Sequence, residues 1–516
     1  MIRQHGYFLG KGYTYGVYPE TFPNQLTLVS LLSGHRPPAR SGAFTMLDFG
    51  CGQGLNLCLQ ACLHPEARFY GIDLSSDHIA HANELAAAAG LDNVTVLQAD
   101  LLDLADSRMP PALAAVWGQC QIAMAHGVLG WVSPEVGQAL TQAAAAALAP
   151  GGLLYLSYNT MPGWLAALPF QHAVMAMERR GGNSGKGVDQ AREPFDQLQQ
   201  CNALVFNSLP DLTGRLQGLG KRQQSYLLHE YAHEQWHPLY CDRVIEACSN
   251  HGLTFLGSAD LPEIFTGLLP STHQQLIRQQ SDPAMKQLVR DLLVNQPFRR
   301  DVYAHGKVLL WAGEAEQALG AIRLRSRITA EALEQPDATL LTLDDGETRL
   351  PAEICRPLLL HLLQGPASIA DLKLISASTI SLQEFLSVVC LLLHARKLEM
   401  VMAAPDPLPA QRLNTLLLER VAAGAPYRWL ACPALGSVER FDRLSLVAMH
   451  AVTQGHRGYG LSQAMVQAMA RLKLRLSEDN GDSAGTPSAG LTRWLEAFEQ
   501  QTLPALQNLG VLPQAC

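Results

Sequence analysis

The chain has 516 residues, of which 48% are hydrophobic, so it can bury several cores and should hold about three or four domains. Its 38 basic and 46 acidic residues are spread without long blocks and give a net charge of −8, which argues against a nucleic-acid partner. The sequence has no run of 18 uninterrupted apolar residues and no CxxC spacing among its 11 cysteines. We therefore expect a cytoplasmic protein with reduced thiols, no stable membrane insertion and no structural metal.

Between residues 45 and 158, short β-branched or apolar runs alternate with helical patterns, which is typical of a parallel sheet with helices between its strands. Ser75 or Ser76 can cap a helix that closes at Gly90, and Pro134 stands at the first position of another helix. The predicted strands are Thr45–Phe49, Arg68–Ile72, Val94–Gln98, Ile122–Ala125 and Leu153–Tyr158.

Downstream of this region the pattern is mostly helical. A helix is predicted over Asp242–Asn250, followed by a strand over Leu253–Gly257 that can return to the first sheet. Ser381–Glu384 has the spacing of a capping box and precedes an apolar helix, Phe385–Leu393, and a strand-like segment, Leu398–Met402. This order of elements is winged-helix-like.

The strongest functional signal is Asp48–Gly54, which reads Asp-Phe-Gly-Cys-Gly-Gln-Gly between an apolar strand and a helix. Glycines at this place let the backbone turn sharply and approach a ligand closely, although a plain glycine-rich turn would look the same. A dinucleotide fingerprint GxGxxG would need a small residue at position 55, which is Leu55. The spacing therefore favours S-adenosylmethionine over NAD.

Two further acids strengthen this interpretation. Asp73 ends the second predicted strand, 25 residues after Asp48, where a carboxylate can accept both ribose hydroxyls. Asp100 ends the third, in position for the adenine amino group, but an acid there is about as often a cap or turn residue. The residues that we assign to the cofactor site are Asp48, Gly50, Cys51, Gly52, Gly54, Asn56, Asp73, Leu74, Asp100, Leu101 and His126.

The order of these motifs resembles class I S-adenosylmethionine-dependent methyltransferases. The segments that carry the resemblance are Asp48–Gly54, Gly71–Ser75, Gln98–Asp100, Ala125–Val128 and Tyr155–Tyr158. More narrowly, the chain is similar to bacterial protein lysine methyltransferases that have a methyltransferase regulatory domain and are known for acting on outer-membrane proteins. The segments of this narrower similarity are the tyrosine-rich leader, the His-Gly-Val block before Trp131, Tyr158–Trp164, Tyr226–Tyr231, Pro238–Tyr240 and His251–Leu253.

The resemblance implies an α/β fold with a Rossmann-like class I methyltransferase core and helical and winged-helix-like C-terminal domains. The expected domains are a cofactor-binding core at 1–165, a helical regulatory region at 166–315 that can return a strand to the core sheet, a winged-helix-like domain at 316–405 and a helical domain at 406–516. The expected activity is methyl transfer to lysine side chains of a protein substrate. We expect the first domain to hold the cofactor by itself and the later modules to capture the acceptor.

The sequence departs from the family at three positions. Gln121 stands where the family tends to have an aspartate, and Leu129 and Gly130 replace an aromatic residue and a serine. The last two follow the strand that faces the transferred methyl group. They therefore bear on the acceptor more than on the cofactor, and a small-molecule methyltransferase is the alternative.

The family reaction is an in-line displacement, for which the protein supplies orientation and a water-poor pocket rather than a covalent intermediate. Tyrosines can orient an amine, and Tyr13, Tyr15, Tyr18 and Tyr158 lie near this end of the predicted sheet. Asn159 can accept a hydrogen bond from an amine or cap the next turn. We take Tyr158, Asn159 and Tyr15 as the catalytic candidates, with packing as the alternative for each tyrosine.

Three other side chains lie close to the same predicted edge. His126 can contact the methionine part of the cofactor or act as a base, and we favour contact. Trp131 and Trp164 can wall the pocket, although a tryptophan after a strand is more often part of the core.

Two sequence features suggest other functions, namely a zinc hydrolase and a DNA-binding regulator. His229–His233 has the HExxH pattern of zinc hydrolases, but no third ligand is identified, and family resemblance explains it better. The winged-helix-like segment suggests a cofactor-sensing DNA-binding regulator. Its four basic and four acidic residues between 352 and 402 leave nothing to neutralise phosphates, so protein interaction is favoured.

Overall fold

The computed structural model describes residues 3–4, 7–8, 15–38, 43–181, 185–219, 227, 230–335, 337–343, 346–376, 380–401, 406–476 and 488–514. Its centre is a seven-stranded sheet with α-helices on both faces, which confirms the predicted Rossmann-like α/β core. The strands of this sheet are β1 (Thr45–Phe49), β2 (Arg68–Asp73), β3 (Val94–Gln98), β4 (Cys120–His126), β5 (Leu148–Asn159), β6 (Leu253–Ser258) and β7 (Phe298–His305).

The spatial order of the strands is β3-β2-β1-β4-β5-β7-β6. The first five are parallel, and β7 runs antiparallel to both β5 and β6. All six predicted strands are confirmed, including the return of β6 to the first sheet. Because β1 to β5 are parallel, the loops after their carboxyl ends gather at one edge.

No strand was predicted at β7, which joins β6 to the rest of the sheet. Its sequence contains the charged run Arg299–Asp301, which does not read as a buried strand. In the structure these charges are paired inside the protein: Arg299 lies 2.6 Å from Asp291 and 2.9 Å from Asp301, and all three side chains are fully buried. The pairing of Arg299 with two carboxylates offsets part of the cost of burying these charges.

Helix capping follows the predictions. Ser75 accepts a hydrogen bond from the backbone N–H of His78, and Ser133 accepts one from Val136 just before the helix that begins at Pro134. The α-helices of the first 300 residues whose bounds the structure describes are Pro23–Leu32, Leu55–Leu63, Ser76–Ala88, Leu101–Ala105, Pro111–Ala114, Pro134–Ala147, Leu168–Arg180, Gly187–Gln200, Leu204–Ser208, Asp211–Leu219, Cys241–Ser249, Ser271–Arg278 and Pro283–Val294.

The region after β7 begins with a small three-stranded antiparallel sheet, in which Arg323–Ser326 pairs with both Ala367–Ser368 and Leu398–Val401. A separate hairpin pairs Leu340–Leu343 with Gly346–Arg349. The capping box is confirmed, because the Ser381 hydroxyl accepts from the backbone of Glu384 and the Glu384 carboxylate accepts from the backbone of Ser381. The winged-helix-like assignment stays a prediction. The α-helices of this region are Ala312–Gly320, Ala330–Leu333, Ala352–Leu362, Ile369–Ile375 and Leu382–His394.

The C-terminal region is mainly helical and contains one hairpin, Trp429–Cys432 with Ser437–Arg440. The helix Leu408–Ala422 and the hairpin pack against the core helix Leu55–Leu63. No helix in the described ranges is both long and apolar enough to cross a bilayer. The remaining α-helices are Arg443–Thr453, Gly458–Leu472, Ala489–Ala497 and Leu503–Asn508.

Candidate active site

A cavity of about 730 Å³ opens at the edge where the parallel strands end. Its lining comes from the loops after β1 to β5, from the start of β7, from the N-terminal segment around Tyr15 and from two distant residues, Glu230 and Trp429. The predicted cofactor residues all line this cavity. They therefore meet in space as the sequence spacing suggested.

The glycine loop after β1 has a left-handed backbone at Gly50, Gly52 and Gly54, all of which line the cavity. Gly54 has a φ of 76°, and a Cβ there would lie 2.4 Å from the Cβ of Ala82, so the helix Ser76–Ala88 can approach only a glycine. Gly52 has a φ of 54°, and a Cβ there would meet no atom within 4 Å because it would enter the cavity. This free space is what a ligand close to the backbone requires.

Asp73 lines the cavity and also fixes the glycine loop. Its Oδ2 accepts a hydrogen bond of 2.9 Å from the backbone N–H of Gly52, and its Oδ1 accepts one of 2.9 Å from Ser75. His78 lies 3.2 Å from the same Oδ1 through its Nδ1. The carboxylate is thus oriented before any ligand arrives.

Asp48 lies beneath the loop and is only 4% exposed. Burial, reinforced by the negative charge of Asp73, raises the pKa of the Asp48 carboxyl well above its usual range. A cationic ligand group in the cavity would favour the ionised carboxylate instead.

Asp100 caps a helix and also lines the cavity. Its Oδ1 accepts a hydrogen bond of 3.0 Å from the backbone N–H of Leu102, so it caps the short helix that begins at Leu101. Both Asp100 and Leu101 also line the cavity next to Leu74. The cap places a carboxylate and a helix start at the same end of the cavity.

His126 is held between aromatic rings. Its ring stacks on Tyr18 with a centroid distance of 3.3 Å, and its Nδ1 lies 3.1 Å from the hydroxyl of Tyr155. Burial, with a smaller contribution from the charge of Arg300, lowers the pKa of His126 to about 3. A neutral imidazole with so low a pKa is a weak base, which favours contact over proton transfer.

Asn56 attaches the N-terminal segment to the core. Its Oδ1 accepts a hydrogen bond of 3.1 Å from the backbone N–H of Tyr18, and its Nδ2 donates to Thr21. Tyr15 lines the cavity and packs edge-on against Tyr427, with ring centroids 4.8 Å apart. Tyr13 lies outside the described residues.

The far end of the cavity contains a polar pair. The side-chain amide of Asn159 donates a hydrogen bond of 3.1 Å to Oε1 of Glu230, which is 4% exposed, and both residues line the cavity. Trp131 and Trp164 lie along the same wall. Asn159 and the tryptophans were candidates from the sequence, but Glu230 was considered only as part of the HExxH pattern.

Tyr158 does not belong to this site, which corrects its assignment as a catalytic candidate. Its side chain is fully buried, and its hydroxyl donates a hydrogen bond of 2.7 Å to Oδ2 of Asp301. Successive side chains of a strand point to opposite faces, so Asn159 at the cavity leaves Tyr158 on the other face of the sheet.

The HExxH pattern receives no support as a metal site. His229 lies outside the described residues, Glu230 is hydrogen-bonded to Asn159, and Nδ1 of His233 accepts from the backbone of Gln235 at 3.2 Å. Across the described ranges, no group of three His, Cys, Asp or Glu side chains could hold a metal ion.

The three departures from the family pattern have structural roles. Gln121 accepts a hydrogen bond of 2.7 Å from the backbone of Thr45 and so joins β4 to β1. Leu129 is buried, and the carbonyl of Gly130 accepts a hydrogen bond of 2.9 Å from the backbone of His237. The segment that contains Glu230 is thereby fixed near the carboxyl end of β4.

The residues present fit S-adenosylmethionine. The space beside Gly52 accepts a ligand against the backbone, and Asp73 presents an oriented carboxylate. Gln53 also lines the cavity, and its buried side-chain oxygen has no hydrogen-bond partner among the described residues. A buried acceptor without a hydrogen bond destabilises the fold unless a donor from a bound ligand bonds to it.

The sheet order, the glycine loop and the acids at the strand ends define a class I methyltransferase that uses S-adenosylmethionine. Residues 46–152 match the family described as "Methyltransferase domain", and residues 223–305 match the one described as "Predicted methyltransferase regulatory domain". An uncharacterized protein of Synechocystis sp. is 32% identical over 378 residues, which are 72% of each chain. The chain therefore belongs to the methyltransferase family that carries this regulatory domain.

Two further comparisons extend this result. An uncharacterized protein of Rickettsia prowazekii is 25% identical over 292 residues, which are 56% of this chain and 50% of that protein. The structure of PKMT2 from Rickettsia typhi in complex with AdoHcy shares the fold with a TM-score of 0.70 and 20% sequence identity. The superposition covers 97% of this chain and 99% of that chain, so the shared fold extends over nearly the whole of both chains.

Proposed function

We propose that the chain transfers methyl groups from S-adenosylmethionine to lysine side chains of a protein substrate. The observation that supports this proposal is the pair of Glu230 and Asn159, which places a buried carboxylate and an amide at the end of the cavity away from the cofactor acids. Both groups offer acceptor oxygens, whereas an amine or ammonium is a donor.

The cofactor half of the cavity follows the order of the strands. We assign the adenine end to Asp100 after β3, the ribose to Asp73 after β2 and the methionine end to the glycine loop after β1. Next to β1 come β4 and β5, which end at His126 and Asn159. An acceptor at Asn159 would thus lie on the methionine side of the cofactor.

When bound, S-adenosylmethionine supplies the methyl group on its sulfonium. The protein's own groups prepare the acceptor: Asn159 and Glu230 orient the amine by hydrogen bonds, and the carboxylate can receive the proton that a lysine ammonium must lose. Trp131 and Trp164 exclude water and present π faces that attract a cationic group. No covalent intermediate on the protein is required.

The resemblance to bacterial protein lysine methyltransferases favours a protein-bound lysine over a free amine. The test is incubation of the full chain with methyl-labelled cofactor and fractions of lysate, followed by hydrolysis of the labelled protein and separation of its amino acids. We expect label in methylated lysine. Label found only in small metabolites would support the small-molecule alternative, and label in nucleic acid would contradict the proposal.

A further inference from the structure

The C-terminal region reaches the cofactor cavity through one aromatic side chain. Trp429 begins the hairpin that packs on the core helix Leu55–Leu63, and it lines the cavity together with Tyr15 and Gln53. The start of this helix is the glycine loop itself. A residue more than 370 positions downstream therefore forms part of the wall at the glycine-loop end.

A chain of hydrogen bonds connects the two regions at the same place. The backbone carbonyl of Gln53 lies 2.8 Å from Nδ1 of His81, and Nε2 of His81 lies 3.0 Å from the hydroxyl of Tyr427. A carbonyl can only accept, so Nδ1 carries the proton and, in the neutral ring, Nε2 accepts from Tyr427. Tyr427 is two residues before Trp429, so this bond positions the hairpin over the loop.

A second contact supports the same interface. Arg420 of the helix Leu408–Ala422 pairs with Glu84 of the core helix Ser76–Ala88 at 2.5 Å. Tyr15 packs against both His81 and Tyr427, with ring centroids 5.3 Å and 4.8 Å apart. The N-terminal segment is therefore held between the core and the C-terminal region.

We propose that the C-terminal region is part of the cofactor-binding site, with Trp429 as the cover of the glycine-loop end and the Gln53–His81–Tyr427 chain as its anchor. The buried side-chain oxygen of Gln53 lies in this part of the cavity and would accept from the ammonium group of the cofactor's methionine moiety. We thus propose an alternative to the expectation that the first domain holds the cofactor by itself.

Cofactor binding and docking of the hairpin are thermodynamically linked, so each affects the other equally. If docking of the hairpin strengthens cofactor binding, then bound cofactor must strengthen docking of the hairpin by the same factor. The proposal concerns only the cofactor, so it holds or fails independently of the acceptor's identity.

The first test measures binding of S-adenosylhomocysteine to the full chain by calorimetry, without any acceptor. We expect Trp429→Ala to weaken binding about tenfold, because it removes an aromatic contact and opens the cavity to water. Tyr459→Ala is the matched control, since Tyr459 is a 72% exposed aromatic residue of the same region and lies away from the cavity. Its affinity should equal that of the unmodified chain.

The second test measures hydrogen exchange of the unmodified full chain with and without S-adenosylhomocysteine. We expect the ligand to slow exchange in residues 427–440, and Tyr427→Phe, which removes only the hydroxyl of the anchor, to reduce that protection. Unchanged affinity in a folded Trp429→Ala protein, or no protection of 427–440 in the unmodified chain, would overturn the proposal. The exchange experiment decides the matter even if Trp429→Ala fails to fold.

Discussion

The two halves of the cavity are built in different ways. In the cofactor half, Gly52, Asp73 and Asp100 come from one continuous stretch, and backbone hydrogen bonds to the acids fix their positions. In the acceptor half, Asn159 meets Glu230 only because a segment 71 residues further along packs beside the sheet. Apart from the cover proposed for Trp429, the first half is therefore locally determined, whereas the second depends on how the regulatory region docks.

The strongest way to break the cofactor half is Gly52→Val. The branched side chain would enter the ligand space, and the φ of 54° would add roughly 1 to 2 kcal/mol of backbone strain, so we expect calorimetry to detect no cofactor binding. Gly306→Val is the matched control, because Gly306 has a φ of 65° and open space but lies outside the cavity. Retained binding in Gly52→Val would mean that the ligand lies elsewhere.

The next effect comes from Asp73→Ala. This change removes the acceptors assigned to the ribose hydroxyls, each charge-assisted bond being worth roughly 1.5 to 3 kcal/mol, and it also releases the loop at Gly52. We expect cofactor affinity to fall by about a hundredfold or more. Asp77→Ala, at an exposed position of the helix Ser76–Ala88 that follows β2, should leave affinity unchanged, and equal affinities in both variants would refute the assignment.

Glu230→Gln tests the acceptor half alone. The amide keeps the shape and an acceptor oxygen for Asn159 but removes the negative charge, so we expect kcat to fall by about a hundredfold with cofactor affinity unchanged. The control is Glu246→Gln, since Glu246 lies in the same region and its side chain is 62% exposed. A loss of cofactor binding without a loss of turnover would assign Glu230 to the other half.

The smallest expected effect is on the pH dependence of stability. It comes from His126, which lies between the two halves of the cavity. Its pKa is about 3 in the folded protein and about 6.5 when unfolded, so the unfolded chain binds more protons between these values. Stability therefore falls as the pH is lowered through this window, by up to about 2 kcal/mol from pH 7.5 to 5. The free energy of unfolding, measured in urea, should change less with pH in His126→Asn than in the unmodified chain. An identical pH dependence in both proteins would contradict the lowered pKa of His126.

The same contrast explains what the sequence could predict. The meeting of Asp48, Gly52, Asp73 and Asp100 at one cavity could be predicted because it depends on local spacing after strands. Tyr158 was wrong because the assignment ignored the alternation of side chains along a strand, which places its neighbour Asn159 at the cavity instead.

Other residues were missed for reasons of tertiary structure. Glu230 lay in a segment whose pattern suggested zinc, and only packing brings it to Asn159. Trp429 has no local signal that links it to a loop near residue 53. The strand β7 was not predicted because it contains charged residues. The buried Arg299 pairs with Asp291, which lies outside the strand, and the hydrophobic pattern of the strand itself gives no sign of such a partner.

The late position of the antiparallel strand β7 in the chain affects folding during synthesis on the ribosome. The first five strands of the sheet are complete at Asn159, but the strand that pairs with β5 ends only at His305. Until that later stretch leaves the exit tunnel, β5 presents an unpaired apolar edge, which is a template for association with other nascent chains. We expect chaperones or early docking of the helices that follow β5 to protect this edge during synthesis.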